Sequence, residues 1–277
     1  MIMHALRRLA APFALAFTLY APLQSAHADL DKLKQGGILK VAVYNDFAPF
    51  SNRESGIDVD FAQALAGKLG LKVHLLPFDA GEELGDDLRN MVWKGHYLGY
   101  GPADVLMHVP VDPRLMNANK QVKIFAPYYH ENVRLVRDVR KIPVYESIDS
   151  LAGKKVGVEK VSISAMVLLG EQDGKFRDNV KIYPTAAEAL DKLKAGELDA
   201  VLANRSEIES VIRQDPNFAV SEATFQRLPR EGWVVGLAVR NGDVELAKAL
   251  QAATNEMASS GELAQIFAKH GVSLARP

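Results

Sequence analysis

The chain of 277 residues contains no cysteine. That excludes disulfide bonds, a thiol nucleophile and thiolate metal sites. It also lacks an apolar run long enough to cross a bilayer; the longest, residues 9–20, is too short. Neither sign of charge dominates, with 33 Lys and Arg against 34 Asp and Glu, and no basic run stands out. Nucleic acid and anionic membrane surfaces are therefore not expected partners. Catalytic motifs are missing: there is no G-x-S-x-G, H-E-x-x-H, Walker loop or G-x-G-x-x-G. The seven histidines never take metal-site spacing, and His96, His108 and His130 could converge only in space. No enzyme activity, metal or cofactor is expected on this reading.

What is present begins with an address. Residues 1–8 carry Arg7 and Arg8 and no acid, residues 9–20 are almost wholly apolar, and Ala26-His27-Ala28 is a small-x-small cleavage signal. This is the three-part layout of a secretory signal peptide, with cleavage expected before Asp29. Residues 1–28 are thus expected to be removed, leaving 249 residues and a net charge of −3. A lipid anchor would need a cysteine at the cleavage site, so a free periplasmic protein is expected. An apolar fraction of 48% is ample for a core without metals or disulfides, and a mature chain of this length suggests one large or two medium domains.

The periodicity is that of an α/β protein. Residues 37–43 read as a buried strand after a turn. In "ESGIDVDFAQALAGKLGLKVHLL", Phe61, Ala62, Leu65 and Leu69 recur at helical spacing, Gly70 supplies a stop, and Val73 and Leu75 open a strand. Strand, helix and strand at this length make a βαβ unit and a mainly parallel sheet. The second half repeats the grammar in "KKVGVEK", "VSISAMVLLGEQ" and "VKIYPTAAEALDKLKAGELDAVLAN", where Thr185 and Glu188 form a T-x-x-E capping box. "LRNMVWKGHYLGYGPADVLMH" echoes "LDKLKAGELDAVLAN" with about six extra residues, 97–102. Two similar α/β lobes explain the echo, with crossings expected near "VRLVRDVRKIPVYESIDSLAGKK" and "REGWVVGLAVRNGD". The expected organisation is lobe 1 over residues 29–134, lobe 2 over 135–232, and a return to lobe 1 over 233–277, ending in two helices split by Gly261.

The ordered set "ILKVAVYNDFAPFSN", "GIDVDFAQALAGKLG", "FAPYY", "SLAGKKVGVEK", "ALDKLKAGELDAVLAN" and "VGLAVRNGD" resembles family 3 extracellular solute-binding proteins over essentially the whole mature chain. These are receptors of ABC importers for polar amino acids and related solutes. The resemblance implies a two-lobed periplasmic-binding-protein fold (type II) with two hinge strands and a ligand cleft between the lobes. Within the family, "DFAPFSN" and "DDLRNMVWKG" look most like a subgroup found with quinoprotein dehydrogenases, including the J proteins of methanol oxidation clusters.

Ligands of parallel α/β sheets meet loops at the carboxyl ends of strands. Four such loops are expected here, over residues 44–57, 108–114, 159–164 and 203–206; Asp46, His108 and Glu159 lie on them. Phe47 matches the family's ligand-facing aromatic, and Phe50 is either ligand-facing or core. Arg114 sits where amino-acid receptors grip the ligand carboxylate, but Val109 and Val111 replace hydroxyl residues, and Asp112 offers Arg114 a surface partner. The family's G-T-T is Val161-Ser162-Ile163, leaving Ser162, with Ser164 a candidate helix cap. Asn204 stands where the ammonium-binding aspartate is usual, and it carries no charge. A few relatives became dehydratases with a carboxylate general acid, a role open to Asp46 or Glu159. These departures imply a periplasmic receptor for a small polar or anionic solute other than an ordinary α-amino acid. Its expected partner is an ABC importer, and the expected state a monomer. The alternative is an accessory protein of a periplasmic quinoprotein dehydrogenase, for which residues 97–102 are a candidate docking loop or a neutral insertion.

Overall fold

The computed structural model describes residues 28–225, 228 and 232–277. Residues 1–27 of the expected signal peptide lie outside them. The first part of the chain runs α1 (Ala28–Gly36), β1 (Ile38–Tyr44), β2 (Asp46–Phe47), β3 (Ser51–Asn52), α2 (Ile57–Lys68), β4 (Lys72–Phe78), α3 (Leu84–Leu88), β5 (Val105–Pro110), α4 (Pro113–Ala118) and β6 (Val122–Glu131). Then come β7 (Val133–Asp138), β8 (Val156–Glu159), α5 (Ile163–Gly170), β9 (Val180–Tyr183), α6 (Ala186–Lys194), β10 (Ala200–Asn204), α7 (Arg205–Ile212) and β11 (Phe218–Glu222). The chain ends with β12 (Trp233–Arg240), α8 (Val244–Ser260) and α9 (Glu262–Lys269).

Two five-stranded sheets result, ordered β4-β1-β5-β12-β6 and β11-β7-β10-β8-β9. Each has a parallel half, β4-β1-β5 or β10-β8-β9, built from the expected βαβ units. The other half of each is antiparallel, because the strands next to the crossings run back along the sheet. The chain passes between sheets at Asn132 and returns just before Trp233. At the return, Gly232 has φ +71°, and a Cβ there would lie 2.0 Å from the Glu131 carbonyl oxygen. The two crossing segments touch, so only glycine fits.

Local signals account for several elements. Phe61, Ala62 and Leu65 of α2 are buried, and Gly70 follows the helix at φ +72°. Thr185 Oγ1 accepts the Glu188 N–H at 3.2 Å, capping α6. Gly261 at φ +84° separates α8 from α9. Leu246, Ala247 and Leu250 of α8 and Phe267 of α9 pack with Leu39, Val41 and Phe61 of the first sheet's core. Val156, Val158, Leu168 and Leu202 form the corresponding core of the second. Trp233 packs against both clusters.

An irregularity in the first sheet sets the direction of β5 and β6 near the crossings. Ala238 of β12 pairs with Leu106, and Gly236 with Val109, so Met107 and His108 of β5 together face Leu237. On the other side Leu237 pairs with Phe125 and Val235 with Tyr129, leaving two extra residues on β6. These are bulges on both neighbours of one strand. His108 and Ala126 take positive φ within them, +59° and +49°. Gly236 lies between the bulges, and a Cβ there would meet the Phe125 carbonyl oxygen at 2.4 Å. A glycine inside a strand marks this close approach.

Candidate functional site

A cavity of about 400 Å³ opens between the two sheets. The end of β1 supplies Tyr44, β2 Asp46 and Phe47, the end of β5 His108 and Pro110, and the end of β10 Asn204. The loop after β4 and the start of α3 add Asp79, Gly81 and Asp87, and the crossing strands add Glu131 and Trp233. Beside it lies a second cavity of about 270 Å³. Asp46 and Phe47 line both, while Glu159, Thr185 and Glu207 of the second sheet's side line the smaller one.

Several of the carboxylates have identifiable hydrogen-bond donors. Asp87 accepts from the Tyr44 hydroxyl at 3.1 Å and from the Gly81 N–H at 2.8 Å. Burial outweighs these bonds and raises its pKa. Asp79 accepts from Asn45 Nδ2 at 2.8 Å. Glu131, 2% exposed, accepts from Ser206 Oγ and from the Asn132 N–H. Its pKa is raised, again chiefly by burial. Glu159 is raised by burial and then by the negative charge of Asp46. Glu207 is pushed up to about 8 by burial and next by Glu159. Carboxyl groups brought by both sheets therefore face shared space at a cost to their ionisation.

Balancing charge is scarce. Among the described residues, no lysine or arginine lines either cavity, and His108 is the one basic side chain that does. Phe47 stacks on Phe50 with centroids 5.7 Å apart and meets His108 edge-on at 4.8 Å. Tyr44 and Trp233 add two more aromatic surfaces. Rings and carboxylates together suit a cation with an apolar body.

The structure brings together Asp46, Phe47, His108, Glu159 and Asn204 of the residues singled out from sequence. Phe50 sits behind Phe47, 2% exposed, in the core. Arg114 is exposed on α4 and lines neither cavity. Asp112 does not pair with it, but caps α4 by accepting the Leu115 N–H at 2.8 Å. Ser162, not Ser164, caps α5: its Oγ accepts from the Ala165 N–H at 3.1 Å and donates to the Glu159 carbonyl at 2.7 Å. Ser164 is buried one position inside the helix. Neither serine lines a cavity. Among the described residues, no three His, Asp or Glu side chains gather as metal ligands. Residues 97–102 form a turn with Tyr97 88% and Leu98 68% exposed, and the Tyr100 ring stacks on His96 at 4.2 Å.

Sequence reasoning missed Asp79, Asp87, Glu131, Glu207 and Trp233. One signal was available. Asn204 and Glu207 have the N-x-x-E spacing of a capping box, and Glu207 Oε2 accepts the Asn204 N–H at 2.8 Å. The carboxyl group absent at Asn204 appears one helical turn later, on Glu207, where burial keeps it protonated up to about pH 8.

No family model matches the chain. It is 25% identical over 246 residues to the L-cystine-binding protein TcyJ of Escherichia coli, covering 87% of this chain and 85% of that one. Other relatives carry names for binding histidine, arginine or glutamine. A shorter match, 41% over 68 residues, covers 23% of this chain and 25% of a cyclohexadienyl dehydratase of Pseudomonas aeruginosa. Among solved structures, an ancestral cationic amino acid solute-binding protein superposes with a TM-score of 0.68 at 22% identity, covering 87% of this chain and 99% of that one. The chain thus has the two-lobed periplasmic-binding-protein fold of type II, and the proteins it resembles along its length are bacterial amino-acid solute-binding proteins.

Proposed function

We propose that this protein is a periplasmic receptor that captures a small organic cation between its two lobes and presents it to an ABC importer. The observation that supports the ligand class is the cavity lining, which among the described residues holds four carboxylates, three aromatic rings, one histidine and no lysine or arginine. A bare anion would meet uncompensated like charge there, whereas a cation would relieve it. This narrows the expected small polar or anionic solute to a cation, Arg114 standing off the cavity. It retains the expectation of a ligand other than an ordinary α-amino acid, since the described lining offers no lysine or arginine to hold an α-carboxylate. The expected lobes, 29–134 with 233–277 and 135–232, are kept with the first boundary moved back to Asn132, because Val133 and Arg134 belong to β7 of the second sheet. Ligand contacts to Asp46 on one and Glu207 on the other would favour the closed state over the open one.

The test is a thermal-melt panel on protein that has been unfolded and refolded to strip carried ligand. A ligand at a hundred times its dissociation constant adds about 2.7 kcal/mol, which for this size raises the melting point by roughly 5–10 °C. Amines such as putrescine, agmatine and phenethylamine should shift it, and dicarboxylates and sugar acids should not. A shift from the acids alone defeats the reading.

A second reading is an accessory protein of a periplasmic quinoprotein dehydrogenase. The exposed Tyr97 and Leu98 in the extra loop favour it. Pull-down of such a dehydrogenase, lost on deleting residues 97–100, would decide for it.

A further inference from the structure

The double bulge around Gly236 does more than bend the sheet. It turns His108 toward the cavity and Tyr128 toward Asp58, which is 1% exposed at the start of α2. The Tyr128 hydroxyl donates to Asp58 Oδ1 at 2.6 Å. His108 Nδ1 lies 3.2 Å from Asp58 Oδ2 and 3.3 Å from the Tyr128 oxygen. With the tyrosine proton committed to Asp58, both neighbours of Nδ1 are acceptors. Nδ1 must therefore carry a proton, or two lone pairs would face each other in a buried site.

That assignment fixes the other edge of the ring. In the neutral imidazole, Nε2 then carries the lone pair. Among the described residues, the buried side-chain polar atoms without a partner are Ser51 Oγ, Tyr129 Oη, Asn132 Oδ1 and Arg137 Nε. Nε2 has no partner either, yet is not among them, so it is reachable from the cavity that His108 lines. The Phe50 ring, with its centroid 4.0 Å away, and Phe47 hold the imidazole in place. The positive φ of His108 is the kind of strain that persists where the surroundings dictate a position.

We infer that His108 is a specificity-determining residue, a fixed acceptor that selects cations bearing N–H groups over quaternary ammonium ions, with Asp58 and Tyr128 as positioning residues. The carboxylates and rings would attract either kind of cation. Only an ammonium with protons can donate to Nε2, and a trimethylammonium group would leave that lone pair buried and unmet. This rests on the cation reading and adds to it the requirement for a donor.

The experiment compares phenethylamine with its N,N,N-trimethyl counterpart by calorimetry, in wild type, His108→Asn and Asp58→Asn. In His108→Asn, the amide nitrogen stands where Nδ1 stood, keeps the bond to Asp58 and tolerates positive φ, while Nε2 is gone. Wild type should prefer phenethylamine, and His108→Asn should reduce that preference by about tenfold, the size of one hydrogen bond to a charged group. Asp58→Asn lets Nδ1 accept from the new amide and moves the proton to Nε2, so it should reduce the preference in the same way while the melting curve stays cooperative. Equal weakening of both compounds in His108→Asn would make the residue merely structural and overturn the inference. Wild type that binds neither compound while agmatine or putrescine binds would overturn the inference, and silence of every amine would overturn the cation reading itself.

Discussion

Replacing Glu207 with glutamine should flatten the dependence of stability on pH. Glu207 lies in the first turn of α7, with Oε2 accepting the Asn204 N–H. A glutamine oxygen can keep that bond and cannot ionise. In the folded protein burial holds the Glu207 pKa at about 8, against 4.5 as the ordinary value. The folded value is the higher one, so protonation favours folding. The contribution is complete below pH 4.5 and is lost as pH rises through 8. Each pH unit in that interval is worth about 1.4 kcal/mol. From about pH 5 to pH 9 wild type should lose about 4 kcal/mol more than the variant. Urea unfolding of both proteins across that range gives the difference curve, in which titrations common to both largely cancel. At about pH 5 the two should lie within about 1 kcal/mol, as expected when a bond is conserved. Parallel curves across the range would refute the assignment of a buried, charge-strained carboxyl at this position.

Two other substitutions separate the site from its surroundings. Arg114→Ala should leave amine affinity within about twofold, since Arg114 is an exposed residue off the cavity; a tenfold loss by calorimetry would put it back in the site. Gly236→Ala should destabilise the protein by about 2 kcal/mol or more, because its Cβ would sit 2.4 Å from the Phe125 carbonyl oxygen. Chemical denaturation reads this directly, and wild-type stability would show that the bulges can spread.

Much of the fold was legible because its determinants are local. The helical spacing of Phe61, Ala62 and Leu65, the Thr185–Glu188 box and the stops at Gly70 and Gly261 each act within a few residues. The antiparallel halves of the sheets were not read, since pairing with β12 and β7 depends on where the chain crosses. Gly236 in "VVGLAV" is a glycine inside a strand, and its sequence neighbours do not show which strands a bulge there would join.

The site was legible only in outline. Loops after β1, β5 and β10 were placed by the rule that ligands meet strand ends, which brought in Asp46 and His108, while Phe47 and Asn204 came from the family resemblance. Arg114 came from a position-by-position match, which fixes residue order and not the direction of the helix that carries it. Asp87 and Glu207 look like ordinary helix-start acids in sequence. Their burial comes from what packs against α3 and α7, which is a long-range property. The same holds for Glu131, whose place beside the crossing depends on the partner strand.

Whether the cleft takes a cation can be read from calorimetry of refolded protein at about pH 7.5, just below the Glu207 pKa of about 8. Phenethylamine, agmatine and putrescine would be titrated beside phenylpropionate and succinate, each in two buffers of different ionisation enthalpy. A cation beside Glu207 lowers that pKa and expels a proton. Saturable binding by at least one amine is expected, with heats that differ between buffers in the direction of proton release, and none by the acids. Binding of a carboxylate with the amines silent, or of an amine with proton uptake, would contradict cation capture.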